Sequence, residues 1–131
     1  MYSDGGARGN PGPAACGILV LSETGEMLDE HMEYLGETTN NVAEYKGVIG
    51  ALKLARKAGA SEVAAYLDSE VVMRQLTGVY RVREGHLRKL YEEAKKEEKH
   101  FAKVTYNHVR REHPRIKHVD KLVNRVLDER Q

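Results

Sequence analysis

The segment that most limits how this chain can fold is the apolar run Ala15–Leu21, set between the turn-rich Gly9-Asn10-Pro11-Gly12-Pro13 and the pair Thr24-Gly25. It is far below the ~20 residues a membrane-spanning helix needs, and its compactness between turn signals reads as a strand buried on both faces. Such a strand needs partners on its edges and cover above and below. Met1–Gly6 reads as a short strand before the first turn, and Glu26–Leu35 follows the second with partial polar/apolar alternation. Together the three segments predict an antiparallel meander.

Cover comes from helical patterns. Asn40 or Asn41 is placed to cap a helix running to about Ala58, with Gly59 ending it. Val48, Leu52 and Ala55 form its apolar face, and Glu44 lies on that same face one turn earlier. Glu62–Leu67 reads as a strand, and Glu70–Leu76 as a short helix closed by Gly78. Leu87 to about Lys99 carries the helical stripe Leu87, Leu90, Tyr91, Ala94. Phe101–Val109 reads as a strand. From Lys117 or His118 onward, Val119, Leu122, Val123 and Val126 define a last amphipathic helix. The order βββαβααβα predicts an α/β layer fold around one sheet.

At 131 residues the chain fits one domain, spanning 1–131. With 40% hydrophobic and 31% charged residues it is neither collagenous nor wholly disordered. No signal-peptide pattern opens it, no segment is apolar enough for a membrane, and its lone Cys16 fits a reducing, cytoplasmic setting as a small core residue. The net charge of +1 hides an asymmetry. Residues 1–70 hold 5 Lys/Arg against 11 Asp/Glu, whereas residues 71–131 hold 16 against 9. A basic C-terminal half fits a polyanionic partner, and an acidic N-terminal half can supply metal ligands. Part of the basic character, Lys89–Lys99 with its interleaved Glu, is also what an ordinary solvated helix face looks like.

Four carboxylates sit awkwardly for a purely structural account. Asp4 lies in the first strand among small residues, Glu44 on the core side of the first long helix, Asp68 at the carboxyl end of the fourth strand, and Asp120 at the expected start of the last helix. Singly, each has an ordinary explanation: Asp68 can cap the next helix and Asp120 can complement a helix N-terminus. Jointly, converging carboxylates repel, and a divalent cation removes that penalty. Oxygen-only ligands select a hard ion such as Mg²⁺. The chain has no Cys/His set at zinc spacing and no phosphate-binding Gly-x-x-x-x-Gly-Lys loop.

These residues fall within four motifs that resemble type 1 ribonuclease H. They are Tyr2–Pro13 (YSDGGARGNPGP), Thr38–Tyr45 (TTNNVAEY), Leu67–Glu70 (LDSE) with Arg74–Gly78 (RQLTG), and His118–Asn124 (HVDKLVN), in family order over nearly the whole chain. The resemblance implies a ribonuclease H-like fold: a five-stranded mixed sheet of order 3-2-1-4-5 with helices on both faces. It implies an endoribonuclease that hydrolyses the RNA strand of RNA–DNA hybrids by two-metal-ion catalysis, leaving 5′-phosphate and 3′-hydroxyl ends. Asp4, Glu44, Asp68 and Asp120 match the family's catalytic and metal-binding carboxylates. The implied cofactor is two Mg²⁺ ions, with Mn²⁺ as a substitute. Gly5, Gly6, Ala7, Asn10 and Asn40 match positions that contact the RNA strand, and Thr39 and Asn41 match positions that contact DNA. Glu70 stands where some relatives carry Gln and matches a further nucleic-acid-binding position, through its backbone. The implied partner is the hybrid, with duplex RNA a further candidate, and the expected state is a monomer free of membrane.

The chain departs from the family pattern in three places. Only three residues precede Asp4, so either the first strand is short or the gene start is misplaced. Gly78–Gly85 leaves no room for the basic protrusion that some relatives use to grip hybrid. The loop before Asp120, Arg110–Lys117, is about two residues longer than common versions, and His113 within it is a candidate for the mobile histidine that helps product leave. The competing readings are a non-catalytic hybrid- or duplex-RNA-binding module of this fold, a DNA resolvase or integrase-like nuclease, and a plain metal-binding domain. Thr39-Asn40-Asn41 favours recognition of a 2′-hydroxyl over DNA cleavage, and a plain metal-binding domain would not need the glycine-rich opening.

Overall fold

A computed structural model describes residues 1–130. The expected meander is formed by β1 (Tyr2–Ala7), β2 (Gly12–Leu21) and β3 (Met27–Thr38), each antiparallel to the next. Residues Ala14–Val20 of β2 are all buried, as a strand covered on both faces requires. β4 (Glu62–Leu67) pairs parallel with β1, and β5 (Lys103–His108) pairs parallel with β4. The sheet is therefore mixed, with order β3-β2-β1-β4-β5. β3 runs three residues past the expected Leu35, because a bulge opposite Ala14 and Ala15 keeps it paired up to Thr38.

α1 (Asn40–Lys57), α2 (Glu70–Leu76) and α3 (Gly85–Glu98) join one apolar cluster with the sheet, containing Val48, Leu52, Val72, Leu76, Leu87 and Ala94. α4 (Pro114–Glu129) covers the other face, packing Val119 and Leu122 against Leu19, and Val123, Val126 and Leu127 against Ala15. Cys16 lies in the core, where burial pushes its thiol up to about 12. No helix among the described residues is long and apolar enough to cross a membrane.

α2 begins at Glu70 as expected, whereas the caps of α1 and α2 and the start of α4 differ from expectation. α1 is capped by Thr39, whose Oγ1 accepts the Val42 N–H at 3.3 Å, so Asn40 and Asn41 lie inside the helix. α2 is capped by Ser69, whose Oγ accepts the Val72 N–H at 3.3 Å, so Asp68 is not used as a cap. α4 begins at Pro114 rather than near His118, because proline suits the first helical position and His113 caps it. Asp120 consequently lies in the second turn of α4 and does not complement its N-terminus.

Candidate metal centre and nucleic-acid interface

The site lies beside the parallel pairing of β1 and β4, with Asp4 inside β1 and Asp68 just past the carboxyl end of β4, the edge where open α/β sheets place their sites. Tyr2 of β1 stands opposite Tyr66 of β4, and the two rings stack with centroids 4.9 Å apart. Two residues further along each chain come Asp4 and Asp68, so the same register that stacks the tyrosines aligns the carboxylates. Glu44 arrives from α1. The helix approaches β1 closely because position 5 is glycine: a Cβ there would overlap the backbone of Ala43 and Glu44. The Gly5 N–H donates to Glu44 Oε1 at 3.0 Å.

One carboxylate oxygen from each of Asp4, Glu44 and Asp68 lies within 4.8 Å of the other two. Asp4 and Glu44 are buried, at 7% and 6% exposure, and Asp68 is half-buried. Burial, with the charges of Asp68 and Asp120 adding to it, pushes the Asp4 carboxyl up to about 7, against the pull of a hydrogen bond with Glu44. Glu44 is raised well above the usual carboxylate range, first by burial and then by the Asp4 charge, with the Gly5 N–H offsetting part of the rise. Asp120 is exposed and lies outside the close trio, though near enough to act on Asp4. Asn124, one turn along α4, donates from Nδ2 to the Asp120 carbonyl at 3.1 Å and to its Oδ2 at 3.3 Å.

The donor set fits a hard divalent cation. Glu44 Oε2 is buried without a hydrogen-bond partner, an arrangement that costs stability unless a ligand supplies the missing interaction. Carboxylate oxygens are the ligands such an ion prefers. Among the described residues, one basic side chain forms an ion pair with this cluster: Arg111, whose Nε lies 3.5 Å from Asp68 Oδ2.

Beside the carboxylates, the β1–β2 loop is tied to the start of α1. The Ala7 N–H donates to Asn40 Oδ1 at 2.8 Å, and the Asn40 N–H donates to Asn10 Oδ1 at 3.0 Å. Both asparagines are exposed, and neither amide nitrogen has a protein partner among the described residues. Gly5, Gly6 and Ala7 run along β1 beneath this pair, and exposed Asn41 follows Asn40. Arg8 pins the same loop from the far side, reaching Asp128 at 2.6 Å on α4. Glu70 is exposed and accepts from Arg74 Nε at 2.8 Å. His113 is engaged in the fold: its Nδ1 accepts the Arg115 N–H at 3.1 Å, and its ring stacks on Tyr2 at 5.2 Å.

The family described as reverse transcriptase-like matches residues 2–126. The ribonuclease H1 structure of the archaeon Halobacterium salinarum superposes with a TM-score of 0.92 at 35% identity, over 98% of this chain and 96% of that one. This chain belongs to the type 1 ribonuclease H family. A second type 1 ribonuclease H structure, LC11-RNase H1 in complex with an RNA/DNA hybrid, gives a TM-score of 0.90 at 39% identity over 98% and 95% of the two chains. A bifunctional protein of Mycobacterium tuberculosis is 40% identical over 98% of this chain, which spans only 35% of that relative.

Within this ribonuclease H fold, sequence reasoning gave no role to Arg111, Asn124 or the Arg8–Asp128 pair. Asn124 was accessible from its i, i+4 spacing to Asp120. Arg111 announced itself only as half of an Arg-Arg pair in a loop, and nothing local points it toward Asp68, forty-three positions away.

Proposed function

We propose that this chain is an endoribonuclease that hydrolyses the RNA strand of RNA–DNA hybrids with two Mg²⁺ ions, for which Mn²⁺ can substitute, leaving 5′-phosphate and 3′-hydroxyl ends. The observation that carries the reading is the buried meeting of Asp4, Glu44 and Asp68, with Glu44 Oε2 unpartnered. Asp4 and Glu44, with Asp68 and Asp120, would hold the ions. Glu44 would stand next to the 2′-hydroxyl beside the cut. When bound, the ions supply an activated water and charge for the leaving oxygen. The chain's own contribution is positioning: Gly5 holds Glu44, and Asn124 holds Asp120.

Recognition falls to the backbone of Gly5, Gly6 and Ala7 and the side chains of Asn10 and Asn40 on the RNA strand, and to Thr39 and Asn41 on the DNA strand. The free amide donors of Asn10 and Asn40 support this, since shape and the 2′-hydroxyl distinguish RNA from DNA. The bound hybrid of the LC11 relative supports the same substrate here. The eight residues 77–84 joining α2 to α3 form no helix, which supports a hybrid held without a basic protrusion. All four carboxylates come from one chain, which favours a monomer, and a lone buried Cys16 favours the cytoplasm. The test is cleavage of end-labelled hybrid, duplex RNA and duplex DNA side by side, with EDTA as control. Hybrid is expected to be cut only with metal present; cleavage that persists in EDTA, or duplex DNA cut as fast as hybrid, would overturn the proposal.

A further inference from the structure

The acidic cluster already has a cation of its own. Arg111 sits at the tip of a turn fixed on both sides: the Val109 N–H donates to the Leu67 carbonyl at 3.0 Å, and the His113 N–H donates to the Arg110 carbonyl at 3.0 Å. From that anchored backbone its side chain, 84% exposed, reaches Asp68, whose side chain is 14% exposed. A guanidinium so open to water is held weakly, whereas a divalent ion bound directly by the same carboxylate is held by twice the charge at shorter range. The turn therefore presents a cation that must yield Asp68 when metal arrives, and that can yield it by side-chain rotation alone.

Once freed, the guanidinium remains at the edge of the acidic cluster, with Arg110, Arg115 and Lys117 exposed on the same segment. Its planar fork of donors matches phosphate oxygens better than a lysine does. We propose that Arg111 is a built-in competitor for metal at Asp68 which, on metal binding, transfers to a backbone phosphate of the hybrid. The proposal rests on the metal-dependent reading of the site given above.

The two halves of the proposal have separate readouts. Calorimetric titration of Mn²⁺ into protein without nucleic acid reports the competition. Steady-state cleavage at saturating Mn²⁺ reports the phosphate contact through KM. Arg111→Ala is expected to bind Mn²⁺ two- to fivefold more tightly than wild type, because a weak competitor is gone. The same variant is expected to raise KM for hybrid about tenfold, the loss of a charge-assisted contact, with a smaller change in kcat. Arg111→Lys should fall between the two on both measures. Because the side chain is exposed, thermal melts should match wild type and confirm that both variants fold. Unchanged or weaker Mn²⁺ binding by Arg111→Ala, or an unchanged KM, overturns the proposal. Failure of the wild-type protein to bind Mn²⁺ would instead overturn the metal reading on which it rests.

Discussion

The Gly5 N–H and the Glu44 carboxylate share a 3.0 Å hydrogen bond across the gap between β1 and α1, and that bond satisfies only one of the two Glu44 oxygens. The same glycine lets the helix come close enough for the bond to exist. A Gly5→Ala change pits a methyl group against the fixed backbone of Ala43 and Glu44 rather than against a side chain that can turn away. It is expected to cost about 3 kcal/mol and to weaken metal binding as Glu44 is displaced. Thermal melts and Mn²⁺ titration on the same protein check both effects. An unchanged Tm would show that α1 can move off β1 at little cost.

The raised carboxyls make stability depend on pH in a defined sense when metal is absent. Asp4 is pushed up to about 7 in the folded chain, and Glu44 moves in the same direction. An unfolded aspartate releases its proton near ~4. Below that value both states are protonated, and the contribution to stability is fully present. Between there and about 7 the unfolded state gives up its proton first, so stability is lost as pH rises. In EDTA the Tm is expected to fall from pH 5 to pH 8. Mg²⁺ or Mn²⁺ should restore it at pH 8 and do little at pH 5. A Tm equally responsive to metal at both values would contradict the coupling of site charge to stability.

Removing the charge separates stability from activity. Asp4→Asn eliminates the group whose ionisation is penalised, so in EDTA at pH 8 it is expected to be more stable than wild type by on the order of 2 kcal/mol. Cleavage of hybrid should drop about 10³-fold, since metal-borne stabilisation of several kcal/mol is lost. Asp68→Asn should lose activity to a similar extent. A purified Asp68→Asn protein that cuts hybrid at the wild-type rate would remove that residue from the mechanism.

What was legible in the sequence follows from the physics of each element. The continuous apolar run of β2 can only be a central strand, and its position dictates the meander. Glu44 stood out because it shares the face of Val48 and Leu52, where a charge without a partner is costly. Helix starts were harder, because caps compete over one or two positions. Thr39 took the role expected of Asn40, since its hydroxyl reaches Val42 while Asn40 turns its carbonyl oxygen to Ala7. The stripe from Val119 onward points to a later start for α4 than the structure has, because Ile116, buried one turn earlier behind Pro114, stands alone between charged residues. The ion pair of Arg111 with Asp68 depends on how β4 and the β5–α4 turn meet, and no local pattern encodes that meeting.

Binding of hybrid should respond steeply to salt. The exposed cations of the Arg110–Lys117 segment and the basic character of the C-terminal half place the favourable free energy in phosphate neutralisation. Each such contact releases condensed counterions, so affinity falls as a power of the salt concentration. Raising salt from 50 to 200 mM is expected to weaken hybrid binding at least about tenfold, as for a few phosphate contacts. Fluorescence anisotropy with Asp68→Asn protein measures this without cleavage. An affinity that stays level over that range would mean recognition rests on uncharged contacts at Asn10, Asn40 and the β1 backbone.

His113 distinguishes a histidine that holds the fold from one that assists turnover. Its ring caps α4 through the Arg115 N–H and stacks on Tyr2, whose strand carries Asp4. Loss of a side-chain cap costs about 1 kcal/mol, and the aromatic contact adds roughly 0.5–1.5 kcal/mol. His113→Ala is therefore expected to lower the Tm by several degrees. His113→Asn keeps a capping side chain without the ring and should recover about half of the loss. If the ring acts in product release instead, both substitutions would slow steady-state turnover while leaving the melt and the single-turnover cleavage rate at wild-type values. Measuring melting together with single- and multiple-turnover rates on the three proteins decides between the two roles.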